Sequence, residues 1–177
     1  MRRVVFFLVL TTALLAIGTR SALAGEAITF LLPGGVRIEI VEVPFKSASF
    51  TVLGCTAQST ACLINGHIPF GTDLELPKTY VSKITASYQG QTYLLDSSNM
   101  YNAWGGRDFE TKSGVRYFGG KCFDAKNCQF RGVFSDAAGT FVAEWKVIDG
   151  ISLRTVLTNS SDVVGLFLKH IVPPENE

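Results

Sequence analysis

Two histidines, four cysteines and a scatter of carboxylates are the side chains of this 177-residue chain best suited to chemistry. His67 lies in the Gly- and Pro-bearing stretch INGHIPFG and is the one candidate general base. His170 falls in the last turn of a helical pattern, where a cationic ring suits the negative end of the helix. No Gly-x-Ser-x-Gly elbow accompanies His67, and Ser135-Asp136 has no histidine placed to complete a triad. Asp108, Glu110, Asp124, Asp136 and Glu144 could in pairs cleave a glycosidic bond. Any chain of this size offers such pairs, and acidic side chains are ordinarily solvated or capping. H-x-H, H-E-x-x-H and Asp-rich calcium loops do not occur, nor do phosphate-loop or dinucleotide patterns, so no metal site and no cofactor is expected.

Cys55, Cys62, Cys122 and Cys128 form an even set, which in an exported chain argues for disulfides. Four cysteines allow three connectivities. Local pairing, Cys55 with Cys62 and Cys122 with Cys128, is expected because each pair brackets a short polar loop, TAQSTA and FDAKN, between strand-like segments. Each small ring should contribute roughly 2–2.5 kcal/mol by the loop-entropy argument. Zinc would need a different ligand spacing and a histidine near the second pair. Cysteine catalysis is disfavoured because thiols in an oxidising compartment are spent.

Export is read from the amino end. Arg2 and Arg3 precede the apolar run VVFFLVLTTALLAIG, and Ala22-Leu23-Ala24 supplies the small residues of a cleavage site, so residues 1–24 are expected to be a secretory signal peptide. Residues 25–177 then form one globular domain with no further segment long and apolar enough for a membrane helix. The leader carries three arginines, so the mature part has thirteen basic against fifteen acidic side chains, a net charge of −2. A nucleic-acid partner would require a basic stripe, and the basic residues here are scattered singly. The expected location is periplasmic or secreted.

The elements that must position these residues are mostly strands. AITFLL, VRIEIVEV, SASFTVL, TYVSKITASY, QTYLLD, VRYFGG, CQFRGVF, GTFVAEWKVI and ISLRTVL are rich in β-branched and aromatic residues and are punctuated by Gly, Pro, Asn and Asp. Short connections imply antiparallel pairing, so the fold class is mainly β (α+β), an antiparallel sheet or sandwich of short strands. Asp149-Gly150 predicts a two-residue hairpin turn, in which both residues must accept positive φ. Positions summing to 299 then face each other: Trp145 meets Arg154, and Ile148 meets Ile151. One face carries Phe141, Ala143, Trp145, Val147 and Val156, the other Val142, Ile148, Ile151, Leu153 and Leu157, so something must cover both. A C-terminal helix near 161–171 is the natural cover: Ser160 or Ser161 can cap it, Asp162 suits its positive start, Val163, Leu166, Phe167 and Ile171 recur at helical spacing, and Pro173-Pro174 stop it.

The stretch LDSSNMYNAWGGRDFE, from Leu95 to Glu110, follows the same capping logic. Ser97 or Ser98 can start a short helix near 98–104, Met100, Ala103 and Trp104 recur at spacings of three and four, and Gly105-Gly106 offers a left-handed exit. Met100 and Trp104 then face the core, leaving Tyr101, Asn102 and Arg107 as candidates for recognition.

Further on, TKSGVRYFGGKC places Ser113-Gly114 before Arg116 and Tyr117, close to the second cysteine pair. Ser-Gly-x-x-Tyr over the five residues SGVRY resembles the motif that periplasmic lysozyme inhibitors insert into a lysozyme cleft. The resemblance covers those five residues alone, and a turn glycine before an ordinary strand explains them equally in structural terms. It implies an inhibitor whose partner is a lysozyme-like or toxin enzyme. The expected function is therefore non-catalytic protein binding in the envelope, as an inhibitor or immunity protein. Tyr101, Asn102, Arg107, Arg116 and Tyr117 form the candidate contact surface, since Tyr and Arg favour interface centres. The alternatives are a wall- or glycan-directed hydrolase using His67 or a carboxylate pair, and a structural or assembly factor of the envelope.

Overall fold

The computed structural model describes residues 26–104, 117–135 and 139–171. Segments rich in β-branched and aromatic residues become, among the described residues, ten strands: β1 (Glu26–Leu31), β2 (Arg37–Pro44), β3 (Val52–Gly54), β4 (Cys62–Ile64), β5 (Thr79–Tyr88), β6 (Gln91–Leu95), β7 (Phe118–Cys122), β8 (Cys128–Phe134), β9 (Phe141–Ile148) and β10 (Ile151–Thr158). Among the described residues a 3-10 turn spans Ser47–Ser49, and the helix α1 (Ser161–Lys169) follows the last strand. One antiparallel sheet has the order β1-β2-β5-β6 and a second the order β10-β9-β8-β7, while β3 and β4 form a separate hairpin.

The two large sheets face each other as a sandwich. Ile38, Ile40, Ile84 and Leu95 come from one sheet and Phe130, Phe134, Phe141 and Trp145 from the other, all in one core cluster. Along β2 the buried positions are Ile38, Ile40 and Glu42, one face of a period-two strand. In β5 two adjacent residues, Ser82 and Lys83, are exposed between buried Val81 and Ile84. A bulge opposite Val41 accounts for this: two residues of β5 occupy the space of one, so the inward face resumes out of phase.

The hairpin at Asp149-Gly150 forms as the turn chemistry demands, with φ of 52° and 84°. Its register pairs Ile151 with Ile148 and Arg154 with Trp145. Beyond Arg154 a bulge at Thr155 shifts the pairing, so Val156 meets Glu144 and Leu157 meets Ala143. This corrects the expected faces. Val156 packs with Val142 and Phe167 on the helix-covered side, and Leu157 packs against the sandwich core. Ile148, Ile151 and Leu153, near the hairpin tip, are exposed. Five consecutive residues of β9, Phe141 to Trp145, are buried, because the second sheet is covered by the first sheet on one face and by α1 on the other.

The helix α1 is two residues shorter than expected and ends at Lys169, with His170 as its C-cap. Ser160 occupies the N-cap position without a side-chain cap bond; its carbonyl accepts from Val164 N at 2.9 Å. Phe167 is the one helical residue fully buried, and Val164 rather than Leu166 joins Val163 against the sheet.

The helix expected near 98–104 does not form. Residues 98 and 99 make a turn, and Met100 and Tyr101 make isolated bridges to Phe70 and Tyr80. Their backbone groups find partners far away in sequence: Val81 N donates to Met100 O and Phe70 N to Asn99 O, each at 2.9 Å, and Tyr101 N donates to Phe70 O at 2.9 Å. Sheet pairing satisfies the groups that a helical turn would have satisfied internally. Met100 is nonetheless core, and Trp104 packs against that core with its ring edge-on to Phe134.

Both expected disulfides are present, Cys55–Cys62 and Cys122–Cys128. The first staples the β3–β4 hairpin, where Gly54 pairs with Cys62, and the second closes the turn between β7 and β8. Such bridges belong to an oxidising, non-cytoplasmic compartment. Among the described residues no helix is long and apolar enough to cross a membrane. The residues expected to form the signal peptide lie outside those described.

Candidate functional site

The stapled β3–β4 hairpin lies against one end of the first sheet. Buried Cys55, Cys62, Ile64 and Tyr101 form a second small core there, flanked by Phe45, Phe50, Val52 and Tyr80. The aromatic rings are interlocked: Phe45 stacks on Phe50 at 4.6 Å between centroids, Tyr101 meets Phe45 edge-on at 5.9 Å, and Tyr80 meets Phe50 edge-on at 5.4 Å. Beside this cluster a groove of about 570 Å³ opens between Phe50 and Asn65 on the hairpin side and the segment from Leu94 to Tyr101.

The groove exists because β5 changes partner. It pairs with β6 as far as Ile84 opposite Leu95, and it is rejoined at Val81 by Met100. Residues 96–99 must bridge that gap as a loop, and several contacts hold it. Asp96 Oδ1 accepts from Ser98 N at 2.9 Å, an Asx turn. Asn99 adopts the left-handed conformation, φ 61°. Arg154, reaching across from β10, donates to Ser98 O at 2.6 Å and Ser98 Oγ at 3.1 Å and pairs with Asp96 Oδ2 at 3.1 Å. Burial lowers the Arg154 guanidinium from its ordinary value and the Asp96 charge opposes that, so it remains a cation at physiological pH.

Tyr101 is only 5% exposed, yet none of the described residues hydrogen-bonds its hydroxyl. No enclosed polar side-chain atom of the described residues lacks a partner, so the hydroxyl keeps some contact with solvent, and Tyr101 lines the groove. Burial first, and the neighbouring Tyr80 hydroxyl second, push the Tyr101 phenol above its ordinary value. It therefore stays protonated at physiological pH and available as a donor.

The other candidate residues are not gathered with it. Asn102 is spent on the backbone: its Oδ1 accepts from Lys78 N at 2.8 Å and Thr79 N at 3.2 Å, and its Nδ2 donates to Gly71 O at 3.0 Å. Tyr117 is half-buried in the cluster beneath α1, apart from the Tyr101 cluster. Arg107 and Arg116 lie outside the described residues, as do Ser113 and Gly114 of the SGVRY stretch.

Among residues considered for catalysis, His67 is exposed in the turn after β4, where its N–H and carbonyl exchange backbone bonds with Ile64. Asp124 closes a tight turn. Hydrogen bonds from the Asn127 side chain, then from backbone N–H groups of Lys126 and Asn127, hold it below its ordinary value. For Glu144, burial alone would raise the carboxyl, but bonds from Arg131 at 2.6 Å, Thr155 at 2.8 Å and Gln129 at 3.2 Å outweigh it and keep it ionised. Neither carboxyl is arranged to deliver a proton near neutrality. Asp108, Glu110 and Asp136 lie outside the described residues. No group of three or more His, Cys, Asp or Glu side chains able to hold a metal ion occurs among the described residues.

Glu42 is a buried carboxylate that carries no catalytic motif in the sequence. It accepts from the Thr79 hydroxyl and from Ala103 N at 2.9 Å, tying β2 to the segment after the groove. Its phase with Ile38 and Ile40 in RIEIVEV was the signal that could have found it. Asp96, Ser98 and Leu94, which shape the groove, carry no comparable signal.

No protein-family model, characterised protein or solved structure matches the chain.

Proposed function

We propose that this chain is an exported envelope protein, delivered by residues 1–24 as a signal peptide, that works by binding without turnover in the periplasm or outside the cell. Its role in this reading is that of an inhibitor or immunity-type protein against a toxic or wall-degrading enzyme. The observation that carries the reading is the groove beside the stapled hairpin. Its shape is set before any partner arrives by the disulfide, the aromatic interlock and the Arg154 contacts, and it is lined by Tyr101, whose phenol stays protonated and finds no hydrogen-bond partner among the described residues. Preorganised polar groups over an aromatic floor bind at low ordering cost. The test is inhibition of lysozymes and periplasm-directed toxins by the purified protein, with capture of partners from envelope extract. Arg107→Ala/Arg116→Ala and Tyr101→Phe variants should weaken both by tenfold or more while melting like wild type. Unchanged capture by both variants would move the contact surface elsewhere.

A further inference from the structure

We infer that the groove takes a neutral, hydroxyl-rich ligand, a short saccharide chain. The inference rests on the binding reading above and names what the groove itself holds. Most of its polar lining residues are uncharged donors and acceptors: Tyr80, Tyr101, Ser97, Asn99, Ser152 and Asn65, whose amide oxygen accepts from Thr51 N at 2.9 Å. Asp96 is the only charged side chain among the lining residues, and Arg154 already pairs with it. An anionic ligand would find no counter-charge on these walls, and a cationic one no free carboxylate. Ser82 and Ser98 are further uncharged polar residues of the lining, and the remainder is apolar or aromatic, with Phe50, Leu94 and Met100. A saccharide offers both matches at once, C–H faces for the rings and hydroxyls for the amides and phenols. The volume of about 570 Å³ lies within the range of roughly 300–1,000 Å³ usual for ligand sites.

An enclosed tyrosine ring whose hydroxyl is left to solvent is the second, independent observation. A buried phenol ordinarily ends on a protein acceptor, as Tyr93 does on the Ala125 carbonyl in this same chain. Tyr101, which lines the groove, has no such acceptor among the described residues and stays protonated, so a ligand oxygen could complete it.

An added peptide strand is the competing occupant, and the geometry disfavours it. Strand addition needs a run of open backbone N–H and C=O groups. On this side β5 is paired with β6 up to Ile84 and with residues 100–102 from Val81 back, leaving only Ser82 and Lys83 between.

The experiment titrates the purified protein with chitotetraose and cellotetraose as neutral saccharides, with an oligogalacturonate as an anionic one, and with an unstructured neutral peptide. Binding is followed by calorimetry and by amide chemical shifts. Saturable binding of a neutral saccharide is expected, with shifts confined to Tyr80, residues 96–101 and Asn65. Tyr101→Phe, which keeps the ring, should weaken it about tenfold, the loss of one hydrogen bond. Absence of saturable saccharide binding, tighter binding of the anionic oligomer or the peptide, or insensitivity to Tyr101→Phe would each overturn the inference. The outcomes separate this inference from the reading it rests on. Enzyme inhibition without saccharide binding sinks only the saccharide, whereas saccharide bound and cleaved sinks only the claim of binding without turnover.

Discussion

Trp145, at the centre of the second sheet and fully buried, donates its indole N–H to the carbonyl oxygen of Asp96 at 2.8 Å, where the first sheet gives way to the groove. The largest fully buried side chain of the core thus fixes the first residue of the groove loop. Arg154, paired with Trp145 across the hairpin, grips the same loop from the edge, so two neighbouring positions of one β-ladder hold it from two directions. Core packing and groove shape are one structural problem here.

Trp145→Ala should therefore cost about 3–5 kcal/mol, the range for deleting a large core aromatic. Trp145→Phe, which keeps ring contact with Phe118 and loses the donor, should cost about 1 kcal/mol more than packing alone explains. Denaturant unfolding measures both. In the Phe variant, amide exchange should speed up in residues 96–99 while the rest of the sandwich keeps its protection.

The Glu144 cluster predicts an acid limb of stability. A carboxyl held below its ordinary value contributes stability that is complete above the unfolded value, about 4.3, and is lost as pH falls through the lower folded value. Glu144→Gln should thus cost about 1.5–3 kcal/mol at pH 7, the worth of hydrogen bonds to a charged group. The difference from wild type should shrink below about pH 4. Thermal melts of the two proteins across pH 2–7 would show converging curves. Parallel curves would mean that Arg131 gains nothing from the charge.

The legibility of this fold followed the range of the interactions. Asp149-Gly150, Cys55–Cys62 and Cys122–Cys128 are local features, set by residues at most a few positions apart, and each formed as its chemistry requires. The bulge at Thr155 depends on how β10 meets Glu144 across the ladder, which no alternation within ISLRTVL reveals, and it exchanged the faces of Val156 and Leu157. Ser97-Ser98 followed by Met100 and Ala103 carries a helix-start pattern, but partners from Phe70 and Val81 made sheet bridges instead. Of the site, Tyr101 was visible as a residue type; the groove was not, because its walls come from residues flanking the β3–β4 hairpin, from β5, from the end of β6 with the segment to Tyr101, and from β10.

Gly71 offers a backbone test of the site. It has φ 89°, and a Cβ there would overlap the Tyr101 carbonyl and the Phe141 ring. Its carbonyl also receives Asn102. Gly71→Ala should therefore be severely destabilising, beyond the ordinary ~1 kcal/mol of a point change, and should disturb the Tyr80–Tyr101 bridge before the distant β7–β8 hairpin. Chemical-shift changes largest around Tyr101 would bear this out, and a variant as stable as wild type would refute the close approach.

The two disulfides should separate in function though not in stability. Each double Cys→Ala change is expected to cost roughly 2–2.5 kcal/mol. Loss of Cys55–Cys62 loosens the hairpin that carries Phe50 and Asn65 and should weaken groove binding. Loss of Cys122–Cys128 should leave binding unchanged. Calorimetric titration of both variants at a temperature where each is folded makes the comparison.

The claim of binding without turnover is tested most directly by one assay of peptidoglycan hydrolysis, run with the purified protein alone and with the protein added in rising ratio to a wall-degrading enzyme that it captures. The expected result is no release of fragments by the protein itself and a stoichiometric fall in the enzyme's release, relieved in the Tyr101→Phe variant. Release of fragments by the protein alone, abolished by His67→Ala or by changing a single carboxylate, would contradict it.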